Sequence, residues 1–158
     1  MKNRIINILK NEQDPSIRFE VLEKFFEYID SEEDVLFLMG LLIHDSDPCV
    51  RHKAAAQLFR VEEKESPLTV NLKSKIIQAL VDRAFHDKST VVRHESIEAL
   101  GYLGDKSALD SLKILMGDEN LDVSSTAGIA FGTAKRRVEN NIDASEVANF
   151  LIETSPVS

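Results

Sequence analysis

The feature that most constrains this chain is a register that returns four times. Ile17, Val50, Val92 and Val123 each follow turn residues and open an apolar stripe. Arginine comes next in three copies (Arg18, Arg51, Arg93), and Ser124 takes its place in the fourth. Four residues after the anchors stand Val21, Ala54, Ser96 and Ala127, and eight after stand Phe25, Leu58, Leu100 and Phe131. Spacings of four and eight put these residues on one face of a helix. Asp14-Pro15, Asp47-Pro48, Ser89-Thr90 and Asn120-Leu121 precede the anchors and supply turn and N-cap chemistry. The anchors recur every 31 to 42 residues or so, within the range of helical repeats. A helix of this length cannot bury its stripe alone, so the copies must stack.

Between the anchored helices lie the stripes of partner helices. Ile5, Ile6 and Leu9 form the first, and Val35, Leu38, Met39, Leu42 and Ile43 the second. Ile76, Ile77, Leu80 and Ala84 form the third, and Ala108, Leu109, Leu112 and Leu115 the fourth. Ser31 with Asp34, and Ser107 with Asp110, have the spacing of capping boxes. Gly104 is placed as a left-handed helix stop. Glu62 to Thr69, charged and containing Pro67, reads as a linker-like insertion. The basic run Lys135-Arg136-Arg137 reads as the C-terminal turn of the fourth anchored helix, where positive charge suits the dipole. Asp143 with Glu146 starts a last helix carrying Val147, Phe150 and Leu151, which would cover the open end of the stack. The expected fold is all-α: a superhelical solenoid of about four helical hairpins in one domain, 1–158. Its repeats fall at about 1–30, 31–61, 67–104 and 105–138, with a capping helix at 143–153.

DPCVRHKAAAQL, VVRHESIEALGYLGD and DVSSTAGIAFG resemble HEAT repeats, in which Asp-Pro-x-Val-Arg opens the inner helix of each hairpin. The likeness covers about Asp14 to Arg137. Val-Arg-His-Glu followed by Glu-Ala-Leu-Gly is nearest to the HEAT-like repeats of phycobilin lyases and deoxyhypusine hydroxylase. The resemblance implies that Arg18, Arg51 and Arg93 bond turn aspartates of neighbouring repeats, with Asp14, Asp47 and Asp87 available. It also implies that His-Glu pairs two and three residues after the anchor would converge on a di-iron centre in a hydroxylase. Those positions hold Phe19-Glu20, His52-Lys53, His94-Glu95 and Ser125-Thr126, so one pair of the set is present. A charged lysine cannot ligate a cation, and it repels one. No metal or cofactor is therefore expected, a single metal between His52 and His94 being the weaker alternative.

Composition narrows the function further. The formal charge is −8 and the pI about 5.0, which disfavours nucleic acid, whose phosphates need a basic footprint. A basic protein is the better electrostatic match. One cysteine, Cys49, excludes an internal disulfide and favours a reducing compartment. The N-terminal segment has no long apolar run before a small-residue cleavage site, and no stretch approaches a membrane span. A cytoplasmic protein with no membrane partner is expected. No glycine-rich phosphate loop, CxxC or HExxH motif occurs. Cys49 lies three residues before His52 with no orienting third group in the spacing, so nucleophilic catalysis has little support. His44-Asp45 and His86-Asp87 read as cations closing helix C-termini beside turn aspartates.

In a solenoid the inner helices line a concave face that usually binds the partner. The residues expected there are Phe19, Glu20, Glu23, Glu27, His52, Lys53, His94, Glu95, Glu98, Tyr102, Ser125 and Ile129. Carboxylates dominate, and Phe19 and Tyr102 are candidate aromatic anchors. The expected function is non-enzymatic binding of a basic protein, with an inhibitor or immunity protein as one form. The alternatives are a metal enzyme related to deoxyhypusine hydroxylase or a bilin-lyase-like chaperone.

Overall fold

A computed structural model of the chain describes residues 1–64 and 69–154, with side chains up to residue 140. The described residues form eight α-helices: α1 Lys2–Asn11, α2 Pro15–Tyr28, α3 Glu32–His44, α4 Pro48–Arg60, α5 Val70–His86, α6 Thr90–Leu103, α7 Leu109–Leu115 and α8 Leu121–Thr154. Short 3-10 turns follow α4 and precede α7. The helices pair as α1–α2, α3–α4, α5–α6 and α7–α8. Contacts of α2 with α4, α4 with α6 and α6 with α8 line up one layer, and α3 with α5 belongs to the other. This is the expected two-layer solenoid. Among the described residues no helix is long and apolar enough to cross a membrane.

The anchors explain the stacking. Val50, Val92 and Val123 are fully buried, as are Leu58, Leu100 and Phe25. Each side chain of this size contributes about 1.5–3 kcal/mol when withdrawn from water. Ile17 departs from the register at 43% exposure. It belongs to α2, which has α1 and α4 as its main neighbours, whereas α6 is packed by α4, α5 and α8.

The turns follow local chemistry. Asp14 and Asp47 accept backbone N–H bonds from Ser16 and Cys49, capping α2 and α4 ahead of Pro15 and Pro48. Asn120 caps α8 by accepting from the Asp122 and Val123 amides. Ser31 caps α3 through the Asp34 amide. Ser107 is not a cap; its amide and hydroxyl both donate to Asp105. Gly104 takes the left-handed conformation, φ 58° and ψ 38°, and closes α6. Arg137 lies over it, and a Cβ there would meet the Arg137 Cβ at 2.6 Å.

Two expectations need correction. The fourth inner helix does not end at Lys135-Arg136-Arg137, and no separate helix begins at Asp143. Instead α8 runs unbroken from Leu121 to Thr154, because no proline and no glycine after Gly132 interrupts it. The basic run therefore sits inside a helix, and Arg137 donates to the Tyr102 carbonyl near the end of α6. The side chains of Val147, Phe150 and Leu151 lie outside the described residues. Half of the linker, 65–68, is also outside them; Glu62 and Glu63 belong to a 3-10 turn, and Thr69 caps α5.

Candidate protein-binding face

The three arginines after the anchors tie the frame together. Each reaches back to a carbonyl at the end of the preceding outer helix. Arg18 donates to Leu9 O at 3.3 Å, Arg51 to Asp45 O at 2.9 Å and Arg93 to Ala84 O at 2.8 Å. These are carbonyls that a helix end leaves without an internal partner. Each arginine also grips an aspartate in the next repeat: Arg18 with Asp45, Arg51 with Asp87 and Arg93 with Asp118. The partner is therefore an aspartate of the next turn. Asp14 and Asp47 are occupied as helix caps. Asp45, Asp87 and Asp118 each also accept the amide two residues on, so the carboxylates hold the turns as well as the arginines.

The charge states follow. Burial raises the Asp87 carboxyl. Hydrogen bonds from Arg51 and the Ser89 amide, with the fields of Arg51 and Arg83, outweigh that and hold it below the ordinary carboxylate range. The Arg93 hydrogen bond, helped by the Asn120 amide, does the same for Asp118. The hydrogen bond that Arg18 donates to Asp45 raises Arg18 further. His44 and His86 are the last residues of α3 and α5, as their turn position suggests.

On the inner helices the sequence-selected residues divide into three groups. The first is on α2, where Glu20, Glu23 and Glu27 are exposed. Glu23 pairs with Lys53 of α4, and Glu27 with Lys24 at 2.9 Å. The Lys53 ammonium lies 5.0 Å from the Phe19 ring centroid, so Phe19 is half-buried beneath a cation. Lys53 takes Glu23, one turn along from Glu20.

The second group is the histidines. His52 Nε2 lies 3.1 Å from Glu95 Oε2 across the α4–α6 contact. His94 Nε2 lies 3.1 Å from Glu98 Oε1, and His94 Nδ1 is 2.9 Å from the Thr126 hydroxyl on α8. A neutral His94 with its proton on Nε2 satisfies both contacts: Thr126 donates to Nδ1 and Nε2–H donates to Glu98. His94 and Glu95 thus turn to different partners. Among the described residues no three His, Cys, Asp or Glu side chains are grouped to hold a metal ion. With Phe19, Lys53 and Ser125 at the other pair positions, these residues do not fit a two-metal centre.

The third group surrounds a cleft of about 160 Å³ between α6 and α8. Glu98, Tyr102, Ile129 and Thr133 form its walls, over Gly101 and Ala130. Ile129 and Tyr102 are 73% and 50% exposed. One face of Tyr102 stacks on Phe59, with ring centroids 4.9 Å apart and an interplanar angle of 17°. Gly101 is required here, since a Cβ would lie 2.9 Å from the Ala130 Cα. Sequence reasoning selected Tyr102 and Ile129 but missed Phe59 and Thr133. Comparing positions nine and ten after each anchor would have found both.

The HEAT repeats family matches residues 76–154, half of the chain. A deoxyhypusine hydroxylase of Candida glabrata is 33% identical over 103 residues, which are 64% of this chain and 29% of that protein. The structure of human deoxyhypusine hydroxylase in complex with glycerol matches with a TM-score of 0.69 at 22% identity, covering 89% of this chain and 45% of that one. The chain therefore spans less than half the length of these relatives. Register, stacked hairpins and family match agree, and the chain belongs to the HEAT-repeat family.

Proposed function

We propose that this protein is a non-catalytic binding module that holds a basic protein on its concave face. The observation that carries the reading is the charge of that face. Its twelve named residues include five glutamates, Glu20, Glu23, Glu27, Glu95 and Glu98, against the single lysine Lys53. The three on α2 are exposed, in a chain of formal charge −8. Such a face steers and orients a partner of opposite sign. Tyr102 and Ile129 add exposed apolar area beside the carboxylates, in keeping with an interface of large contacts within a polar rim. A module of this size that masks a basic protein would act as an inhibitor or immunity protein.

The test uses the partner retained from a cell lysate at low salt, identified and then titrated in purified form. The Glu20→Lys/Glu27→Lys variant keeps the core untouched, and its helicity should match the wild type. We expect affinity to fall about tenfold or more and the wild type's salt dependence to weaken. Equal affinity in the two proteins would remove the concave-face reading.

A second reading rests on the 33% identity to a deoxyhypusine hydroxylase, which would make the chain a metal enzyme. The hydrogen bonds that engage His52, His94, Glu95 and Glu98 speak against it. Stoichiometric iron in the purified protein would restore it.

A further inference from the structure

Between successive inner helices a side chain of one repeat covers an aromatic ring of the repeat before, and the last pair lacks that ring. Nine residues after the anchor stand Phe26, Phe59 and Gly101 in the first three repeats. Ten after the anchor, the next repeat supplies the side chain that covers that position. Arg60 lies over Phe26, its guanidinium carbon 4.6 Å from the ring centroid. Tyr102 lies over Phe59. In the third groove Gly101 leaves nothing to cover, and Thr133 stands at the covering position. The result is the α6–α8 cleft.

We propose that this cleft receives an arginine side chain of the basic partner. The inference rests on the binding reading above and names its anchor. Tyr102 offers an aromatic surface already fixed from behind by Phe59. Guanidinium groups stack on aromatic faces and pair with carboxylates in a planar fork. Glu98 is the carboxylate at the wall. Its Oε1 is held by His94, itself held by Thr126, so the group is oriented before a ligand arrives and its Oε2 remains for the guanidinium. Ile129 offers an apolar side for the methylene stem; the Thr133 hydroxyl is engaged by the Ile129 carbonyl. The molecule makes the same pairing internally, where Arg60 covers Phe26 and salt-bridges Glu63 at 3.5 Å. Lysine fits less well, because its compact, strongly hydrated ammonium has no plane to lay on the ring.

The probe is a blocked Gly-Gly-Arg-Gly-Gly peptide titrated into the 15N-labelled full chain, alongside its lysine and citrulline counterparts. Saturable amide shifts centred on Gly101, Tyr102 and Thr133 are expected with the arginine peptide, and binding about tenfold weaker with the other two. Glu98→Gln and Tyr102→Leu should each abolish the shifts, while Tyr102→Phe keeps the aromatic surface and should keep the binding. No saturable shift, equal binding of the lysine peptide, shifts centred on α2, or binding that survives Glu98→Gln would each overturn the assignment. The peptide reads the cleft alone. If it fails while the partner still discriminates against Glu20→Lys/Glu27→Lys, only the arginine anchor falls. If that variant keeps full affinity, the binding reading falls too.

Discussion

The guanidinium of Arg51 makes a two-pronged contact with Asp87, Nε to Oδ2 and Nη2 to Oδ1, both at 2.9 Å. The Asp87 side chain is 1% exposed and that of Arg51 12%. Removing one partner from such a pair leaves a largely buried charge without its counter-ion. Asp87→Asn keeps the shape and drops the charge, and it also weakens the turn by reducing the acceptor of the Ser89 amide. It should cost about 2–3 kcal/mol in urea melts at neutral pH. The pH dependence has a definite sign. The folded carboxyl titrates below its unfolded value, so the pair's contribution is fully present above about pH 4 and is lost as pH falls through the folded value. The gap between wild type and Asp87→Asn should therefore close in acid; a gap that stays constant down to pH 2 or so would show that charge is not its source. The arginine ladder was legible in the sequence as three arginines in register. Its aspartates were only partly legible. Asp45 and Asp47 lie two residues apart, and only the turn's conformation decides which caps a helix and which faces the neighbouring repeat.

Glycines on the inner helices test how closely those helices must approach. A Cβ on Gly101 would meet the Ala130 Cα at 2.9 Å, which is backbone and cannot swing away. Gly101→Ala must push α6 and α8 apart. A strain of about 1–3 kcal/mol then opposes a helix-propensity gain of about 1 kcal/mol, for a net loss. Gly128, on α8, has nothing within 4 Å of an added Cβ. Gly128→Ala should therefore stabilise by up to about 1 kcal/mol. Thermal melts of the two variants should move in opposite directions, and a shared direction would mean that packing at Gly101 does not set the α6–α8 distance. The small residues Ala99 and Gly101 announce such an approach in the sequence. The unbroken length of α8 is not announced, because Asp143 with Glu146 has capping-box spacing whether or not the chain leaves the helix there. A cap needs an extended residue at the N-cap, and spacing alone does not supply one.

A stack of repeats draws its stability from nearest neighbours, so its elements should not open together. α6 is enclosed by α4, α5 and α8, and it contributes the fully buried Val92, Ile97, Ala99 and Leu100. α1 packs mainly on α2 and contributes two buried residues, Ile5 and Leu9. Its other tie is Lys2, which reaches Asp30 at 2.6 Å and Asp34 at 2.8 Å. Burial raises the Asp34 carboxyl, and the Lys2 hydrogen bond with those of the Asp30 amide and Ser31 more than offsets it. The Asp30 side chain is largely exposed, where an ion pair is screened and weak. The anchors and stripes predicted the stack, but a periodic pattern gives equal weight to every copy; the exposure of Ile17 beside fully buried Val50, Val92 and Val123 shows that position in the stack decides burial. Native-state hydrogen exchange should accordingly find the α1 amides opening about 2 kcal/mol or more below those of α6. Lys2→Ala should lower the α1 value further and leave α6 unchanged. If α1 and α6 exchange at one common free energy, the chain unfolds as a single cooperative unit and the nearest-neighbour description does not hold for it.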